Sequence, residues 1–309
     1  MTANEPALII DTKGKGNVTI EGITVKWQLA TSDKTENPTA VLVKDSKCAL
    51  KGCTIEALGN AQRSPVGLNV TGFSDVTVDS CYFTGFEYVV QFGEGTKGTL
   101  QDSVIRDCGH QGVINYSGST MNVSRNIITG SKFHAVRSTG GTLNVKDNLI
   151  IANANRGIYL GNKSCAGVIS NNLIIDSGTG IGGFARSKVK IENNVICKSS
   201  YAAIGARSSC ELMVSKNILA ESPRGIVVFL EEGQNSHNLN IAANTFSQNE
   251  TNTENCDKGP GSLDQDPLFT DPENGDYSLK PGPVLDSAHG LKDTEVIKAI
   301  WEKYKKLDR

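Results

Sequence analysis

Four arginines and one tyrosine recur at related positions in the middle of the sequence. Arg137, Arg156, Arg186, Arg207 and Tyr159 each lie beside a short segment of alternating apolar residues. A guanidinium group pairs bidentately with carboxylates or sulfates, and a tyrosine ring offers a flat face for stacking. These residues predict a binding strip for an acidic sugar chain. A row of arginines on a solvated surface is the alternative interpretation.

Three residues of the same region have the chemistry for proton transfer. Removing a proton beside a carboxylate needs a cation that neutralises the carboxylate, a base that takes the proton and an acid that returns one. An imidazole, a phenol and a guanidinium lie close together in the sequence here, at His134, Tyr159 and Arg137. His134, Tyr159 and Arg137 are therefore the candidate catalytic residues.

The cysteines predict no metal centre. The 309 residues include eight cysteines, but no Cys-x-x-Cys or Cys/His spacing that is typical of zinc sites. Cys53 and Cys81 occupy equivalent positions in neighbouring repeats, which is compatible with a disulfide. We favour a pair of buried thiols that fill small core positions, and we expect neither a metal nor a cofactor.

Two interleaved ladders of residues must position these side chains. The first ladder is a pivot residue within a recurring apolar template, with steps of about 22 to 24 residues over most of its length: Ile23, Cys53, Cys81, Ser103, Asn126, Asn148, Asn172, Asn194, Asn217 and Asn244. The second ladder runs out of phase with it: Leu42, Leu68, Val90, Val113, Val136, Ile158, Ile181, Ile204 and Ile226. Period-2 apolar alternation with Gly or Asn at the corners predicts two short strands per repeat, which coil into a solenoid.

The repeat pattern resembles the right-handed parallel β-helix, or pectin-lyase-like, family over about residues 8–250. The resemblance implies an all-β solenoid of about ten rungs. The pivot asparagines are expected to be structural, because Asn tolerates left-handed backbone angles at a corner and its amide can hydrogen-bond to the same amide one rung away.

The C-terminal part of the sequence differs from the repeats. We place the β-helix in residues 1–250 and a closing segment with a helix in residues 251–309. Residues 266–288 resemble the segment that lies against the last rungs in many such domains. Thr294–Leu307 places its apolar residues on one stripe, which predicts a short amphipathic helix that packs on the solenoid.

One column beside the second ladder is made of small residues, which we interpret as facing outward: Gly67, Gly112, Ala135, Gly157, Gly180, Ala203 and Gly225. Such a column would let a polysaccharide approach the backbone closely. The alternative is that glycine simply starts a strand easily. On the other side of the ladder, Arg137 and Tyr159 should be neighbours one rung apart.

The composition limits the classes of partner. The net charge of −2 disfavours bulk nucleic-acid binding, and no apolar stretch approaches the length that spans a bilayer. We expect a monomer with no nucleic-acid partner and no membrane insertion, and the compartment stays open. The expected partner is an acidic polysaccharide or a protein.

Two functions remain open at this point. The resemblance implies a polysaccharide-active lyase or epimerase with an arginine or lysine base, which we assign to Arg137, and with Tyr159 or His134 as the acid. The Asn-Thr-Asp, Asp-Asp, Gly-His-Gly and Asp-Pro-His signatures of such enzymes are nevertheless absent. A non-catalytic domain of a larger protein, which recognises glycan or protein, is therefore the preferred hypothesis. The enzyme is the alternative.

Overall fold

The computed structural model describes residues 5–28, 38–58, 64–161, 163–184, 186–233 and 237–307. Short parallel strands coil through these residues into a β-solenoid of about nine turns. A typical turn has three strands and not the predicted two, because the residues after the pivot form a short strand of their own. The expected all-β parallel solenoid is confirmed. The strands form three long sheets, which we number in the order in which each turn visits them.

The sheets have the following strands. Sheet 1 contains β1 (Leu8–Asp11), β4 (Thr39–Lys44), β7 (Val66–Thr71), β10 (Tyr88–Phe92), β13 (Gln111–Asn115), β16 (His134–Ser138), the ends of β18 (Leu149–Leu160) and β20 (Leu173–Gly183), β23 (Ala202–Arg207), β26 (Arg224–Phe229) and β29 (Thr251–Glu254). Sheet 2 contains β2 (Asn17–Glu21), β5 (Lys47–Lys51), β8 (Asp75–Asp79), β11 (Lys97–Gln101), β14 (Thr120–Ser124), β17 (Gly141–Lys146), β19 (Cys165–Ser170), β21 (Lys188–Glu192), β24 (Glu211–Ser215) and β27 (Asn240–Ala242). Sheet 3 contains β3 (Thr24–Gln28), β6 (Thr54–Leu58), β9 (Tyr82–Thr84), β12 (Val104–Arg106), β15 (Ile127–Thr129), the beginnings of β18 and β20, β22 (Val195–Cys197), β25 (Ile218–Ala220), β28 (Thr245–Ser247) and β30 (Leu263–Asp264). The parallel strands thus continue past residue 250.

The pivot asparagines form a buried ladder between sheets 2 and 3. Asn172 Nδ2 donates to Asn194 Oδ1 at 2.9 Å, and Asn172 Oδ1 accepts from Asn148 Nδ2 at 2.9 Å and from the Asn148 backbone N–H at 3.0 Å. The same pattern links Asn126 to Asn148 and continues to Asn244. The structural role expected for these asparagines is confirmed.

The left-handed corner residue is not the pivot itself, as the sequence suggested, but the residue before it. Arg125, Asp147 and Asn171 have φ between 55° and 59°, and each precedes a pivot asparagine. The residue before the pivot thus adopts the left-handed backbone angle. The pivot amide then points into the core and bonds to the next rung.

Two expectations about sheet 1 are wrong in detail. In the early rungs the inward ladder passes through Val41, which pairs with Leu68, while Leu42 pairs with outward Asn69. The small-residue column faces the core: a Cβ on Gly112 would lie 3.2 Å from Cγ2 of Ile128. These small residues make room for apolar side chains inside the corner and offer no surface to a ligand.

The C-terminal segment covers the outer face of sheet 3. It comprises a hairpin of β31 (Phe269–Asp271) and β32 (Asp276–Leu279), a 3₁₀ turn (Pro272–Asn274), α1 (Pro283–Asp286) and α2 (Thr294–Tyr304). Tyr277, Val284, Ile297 and Ile300 pack on outward apolar residues of sheet 3: Val104, Ile127, Leu149, Leu173, Val195 and Ile218. The helix α2 packs on the side of the solenoid. It ends at Tyr304, three residues before the predicted end at Leu307.

All eight cysteines are free thiols, and seven of them are buried. The Sγ of Cys81 accepts a hydrogen bond from the backbone N–H of Cys53 at 3.4 Å. The two residues therefore extend the pivot column with thiols, as we favoured, and burial raises the pKa of Cys81 to about 11.

We predict that Asn172→Leu lowers the free energy of unfolding by about 1–3 kcal/mol, because the buried Asn148 N–H loses its acceptor. Asn122→Leu is the matched control. Asn122 lies exposed on sheet 2 and should change stability by less than about 0.5 kcal/mol. Urea unfolding of both variants measures the difference, and equal effects would contradict the ladder's structural role.

Candidate functional site

A continuous row of aromatic rings crosses the outer face and edges of sheet 1. We call it the aromatic strip, and its members are Tyr88, His110, Phe133, His134, Tyr159, Phe184, Phe229 and Tyr201. Neighbouring ring centroids lie between 4.0 and 6.2 Å apart. Most of these rings are half-buried, so the strip presents apolar surface along the solenoid axis.

Strand register brings the predicted site residues together. His134 pairs with Arg156, and Arg137 pairs with Tyr159, in the parallel ladder between β16 and β18. This register places Arg137 and Tyr159 one rung apart on the outer face, as expected. His134, Arg137, Arg156 and Tyr159 therefore form one cluster at the middle of the strip.

Two glycines shape this cluster. A Cβ on Gly161 would lie 2.1 Å from the Tyr159 ring, and a Cβ on Gly182 would lie 2.8 Å from Cδ of Arg156 and 2.9 Å from the ring of Phe184. A side chain at either position would displace these groups. Glycine therefore lets the tyrosine and the arginine lie flat against the sheet.

Arg156 stacks between two rings. Its Cζ lies 4.9 Å from the ring centroid of Tyr159 and 4.6 Å from that of Phe184, and Arg137 Cζ lies 6.0 Å from the Tyr159 centroid. Such cation–π contacts hold a guanidinium in one orientation. Burial lowers the pKa of Arg156 from its usual value, yet no carboxylate compensates for this burial among the described residues.

The arginines near the strip differ in their ion pairs. Arg224 Nε lies 2.5 Å from Glu254 Oε2, and Arg207 Nη1 lies 4.0 Å from Glu231 Oε1. Arg137 and Arg156 form no ion pair in the described part of the chain, and the Nε of each is buried without a hydrogen-bond partner. The centre of the strip thus has two cations available for an anionic ligand.

Two of the predicted ligand-binding residues lie apart from this cluster. Arg207 is exposed at the end of β23 and borders a cavity of about 360 Å³ with Phe184 and Phe229. Arg186 is exposed in the turn between β20 and β21, and among the described residues no contact joins it to the strip. Arg137 borders a separate cavity of about 520 Å³ that also contains Lys163.

His134 is only 1% exposed, and its ring lies 4.0 Å from that of Phe133 and 4.6 Å from that of Tyr159. Burial, reinforced by Arg156 and Arg137, lowers the pKa of His134 to about 3. The imidazole is therefore neutral at neutral pH, where it has no imidazolium proton to give. This environment favours Tyr159 over His134 as the acid in any proton-transfer reaction.

Much of the strip escaped prediction from the sequence. Phe133 lies 23 residues after His110, which is the rung period, and these two rings stack at 4.7 Å. That spacing was a detectable signal, although His110 has the sequence context of a turn. Phe184 lies just beyond the end of β20 and Phe229 is the last residue of β26, where the strand pattern no longer indicates direction.

Metal ligands do not cluster in the part of the chain that the structure describes, since no group of three or more His, Cys, Asp or Glu side chains is placed to hold an ion there. No helix among the described residues is long and apolar enough to cross a membrane.

Sequence comparison places the chain in a family. The model described as "Right handed beta helix region" matches residues 7–150 and 40–188. The chain belongs to the right-handed β-helix family. A second family model, "Periplasmic copper-binding protein (NosD)", matches residues 136–264. No curated protein is detectably similar to the chain.

Solved structures of this fold are similar over most of the solenoid. Pectate lyase Pel9A is 10% identical with a TM-score of 0.57, covering 86% of this chain and 79% of the other. The periplasmic alginate epimerase AlgG is 13% identical with a TM-score of 0.54, covering 84% and 77%. The mannuronan C-5 epimerase AlgE6 A-module of Azotobacter vinelandii is 12% identical with a TM-score of 0.54, covering 82% and 91%. At these identities the likeness shows the fold alone, and it confirms the pectin-lyase-like resemblance.

The buried His134 predicts a pH dependence of stability. Its pKa is lower in the folded protein than in the unfolded chain, so the unfolded chain takes up a proton first as the pH falls below about 6.5. The free energy of unfolding therefore decreases as the pH falls, by about 1–2 kcal/mol between pH 6.5 and 5.

We predict that His134→Gln removes this part of the pH dependence. His237→Gln, which changes a partly exposed histidine in a loop, is the control and should retain it. Urea unfolding at pH 6.5 and 5 gives the comparison. An unchanged pH dependence in His134→Gln would show that this imidazole is not held neutral by burial.

Proposed function

We propose that this chain is a glycan-recognition domain of a larger protein and binds an acidic polysaccharide along sheet 1. The observation that carries the proposal is the pair Arg137 and Arg156, two cations without a carboxylate partner among the described residues, set against the ring of Tyr159. A carboxylate of a sugar would supply the missing partner through charge-assisted hydrogen bonds.

The length of the strip supports a polymeric ligand. Its rings lie on or beside seven successive strands of sheet 1, from β10 to β26. At a spacing of about 4.8 Å between parallel strands, this row is about 29 Å long. Several sugar rings of one chain can stack along such a surface.

A polysaccharide-active enzyme is the second candidate. The observation that favours it is that Arg137, Tyr159 and His134, the residues we assigned to base and acid, lie together at the centre of the strip. Solved structures with this fold include enzymes named for pectate, alginate and mannuronan, which are consistent with this class. A protein partner is the remaining alternative.

We predict that Arg137→Ala together with Arg156→Ala weakens binding of acidic oligosaccharides at least tenfold, about 1.4 kcal/mol. Binding by the parent protein should also weaken as salt is added, because the contact is partly electrostatic. Calorimetric titration with a panel of uronate-containing oligosaccharides measures both effects.

Lys188→Ala together with Lys190→Ala is the control, because it removes two positive charges from the outer face of sheet 2. This variant should bind like the parent. Arg186→Ala tests the remaining predicted arginine separately. Failure of the parent to bind any acidic glycan would favour the protein partner, and equal binding by both double variants would move the site elsewhere.

Turnover distinguishes the enzyme from the recognition domain. If the chain cleaves uronate polymers by elimination, unsaturated products accumulate and absorb in the ultraviolet. Tyr159→Phe should then lower the rate much more than the affinity, as expected for a group that acts in the transition state. Binding without any turnover, by elimination or by epimerisation, supports the recognition domain.

A further inference from the structure

The free and paired cations are unevenly distributed along the strip. Arg137 and Arg156, at the centre, have no carboxylate partner in the described part of the chain. Towards β26, Arg224 is paired with Glu254 and lies 4.8 Å from the ring centroid of Tyr201. Arg207 Nη1 lies 4.0 Å from Glu231 Oε1, an oxygen that accepts a hydrogen bond from Ser209 Oγ at 2.8 Å. Positive charge without a neighbouring carboxylate is therefore concentrated in the middle rungs.

Carboxylates also lie beside both ends of the strip. At the β10 end, Glu87 lies next to the turn that carries His110, so close that a Cβ on Gly109 would lie 2.3 Å from its Oε1. At the other end, Glu231 and Glu232 border the cavity that contains Phe184 and Phe229. Both ends thus combine aromatic surface with neutralised or negative charge.

This distribution conflicts with a ligand that is charged at every residue. Rungs lie about 4.8 Å apart, which is close to the length of one sugar in an extended chain, so one sugar covers about one rung. A polyuronate that followed the strip would bring its outer carboxylates to rungs where carboxylates of the protein already lie beside the arginines. Carboxylates of the ligand and of the protein on the same rung would repel each other, and this repulsion would weaken binding.

We propose that the preferred ligand is a glycan in which single acidic sugars are separated by neutral sugars. This inference rests on the proposed function. The acidic sugar binds at Arg137 and Arg156, and the neutral sugars on either side stack on the rings towards Tyr88 and towards Phe229. The carboxylates of Glu231 and Glu254, beside Arg207 and Arg224, make the strip selective against polyuronates.

Two length-matched oligosaccharides test the proposal: an oligogalacturonate, and a xylo-oligosaccharide that carries one glucuronate. We expect the second to bind the full chain at least tenfold more tightly, as measured by calorimetric titration at physiological ionic strength. Equal or tighter binding of the oligogalacturonate would overturn the inference and leave the proposed function standing. Binding of neither would overturn both.

A charge-release variant gives an independent test. Glu231→Gln together with Glu254→Gln removes the carboxylates beside Arg207 and Arg224 and should raise the affinity for oligogalacturonate about tenfold, with a smaller change for the singly charged oligosaccharide. The matched control is Glu192→Gln with Glu211→Gln, which breaks two lysine ion pairs on sheet 2 and should change neither affinity.

Circular dichroism and melting curves establish that both double variants are folded, since all four glutamates are at least partly exposed. If the folded charge-release variant binds oligogalacturonate no better than the parent, the ion pairs do not set selectivity and the inference is wrong.

Discussion

Hydrogen bonding between successive turns of the solenoid is the constraint on which the rest of the structure depends. The backbone ladders of three sheets fix each turn against the next, and the pivot amides from Asn126 to Asn244 secure the corner between sheets 2 and 3. From Asn148 onward, each Oδ1 accepts from both the side chain and the backbone of the previous pivot. A slip of one residue would therefore break the amide ladder and also turn core residues outward.

The same register creates the candidate site. Residues that are 22 to 25 positions apart in sequence, such as Arg137 and Tyr159 or His134 and Tyr159, become neighbours on the surface. Rings and guanidinium groups at matching positions then stack along the axis without any further element to hold them. The C-terminal segment covers sheet 3 instead, so this segment leaves the outer face of sheet 1 open to a ligand in the part of the chain that the structure describes.

The sequence was sufficient to predict features that repeat. The inward ladders, the pivot asparagines and the pairing of Arg137 with Tyr159 follow from a regular period, and all are present. The assignment of residues to the inner or outer face of a strand was wrong where the composition is ambiguous. In β4 four apolar residues follow one another, so Val41 and Leu42 could not be distinguished, and a glycine column carries no side chain to indicate which way it faces.

Features that depend on side-chain direction could not be predicted. The pairing of Arg224 with Glu254 joins residues 30 positions apart across an irregular loop, outside the rung period. The separation of Arg186 from the cluster arises because it lies in a turn, where the strand register no longer applies. The burial of His134 among rings depends on Phe133, whose direction at a strand start is not encoded in the alternation.

A crystal structure of the protein with a bound acidic oligosaccharide would test the central claim most directly. We expect a chain that lies parallel to the solenoid axis on sheet 1, with a carboxylate within hydrogen-bond distance of Arg137 or Arg156 and sugar rings stacked on Tyr159 and its neighbours. A chain bound across sheet 2, or one bound on sheet 1 with its carboxylates turned away from both arginines, would contradict the account.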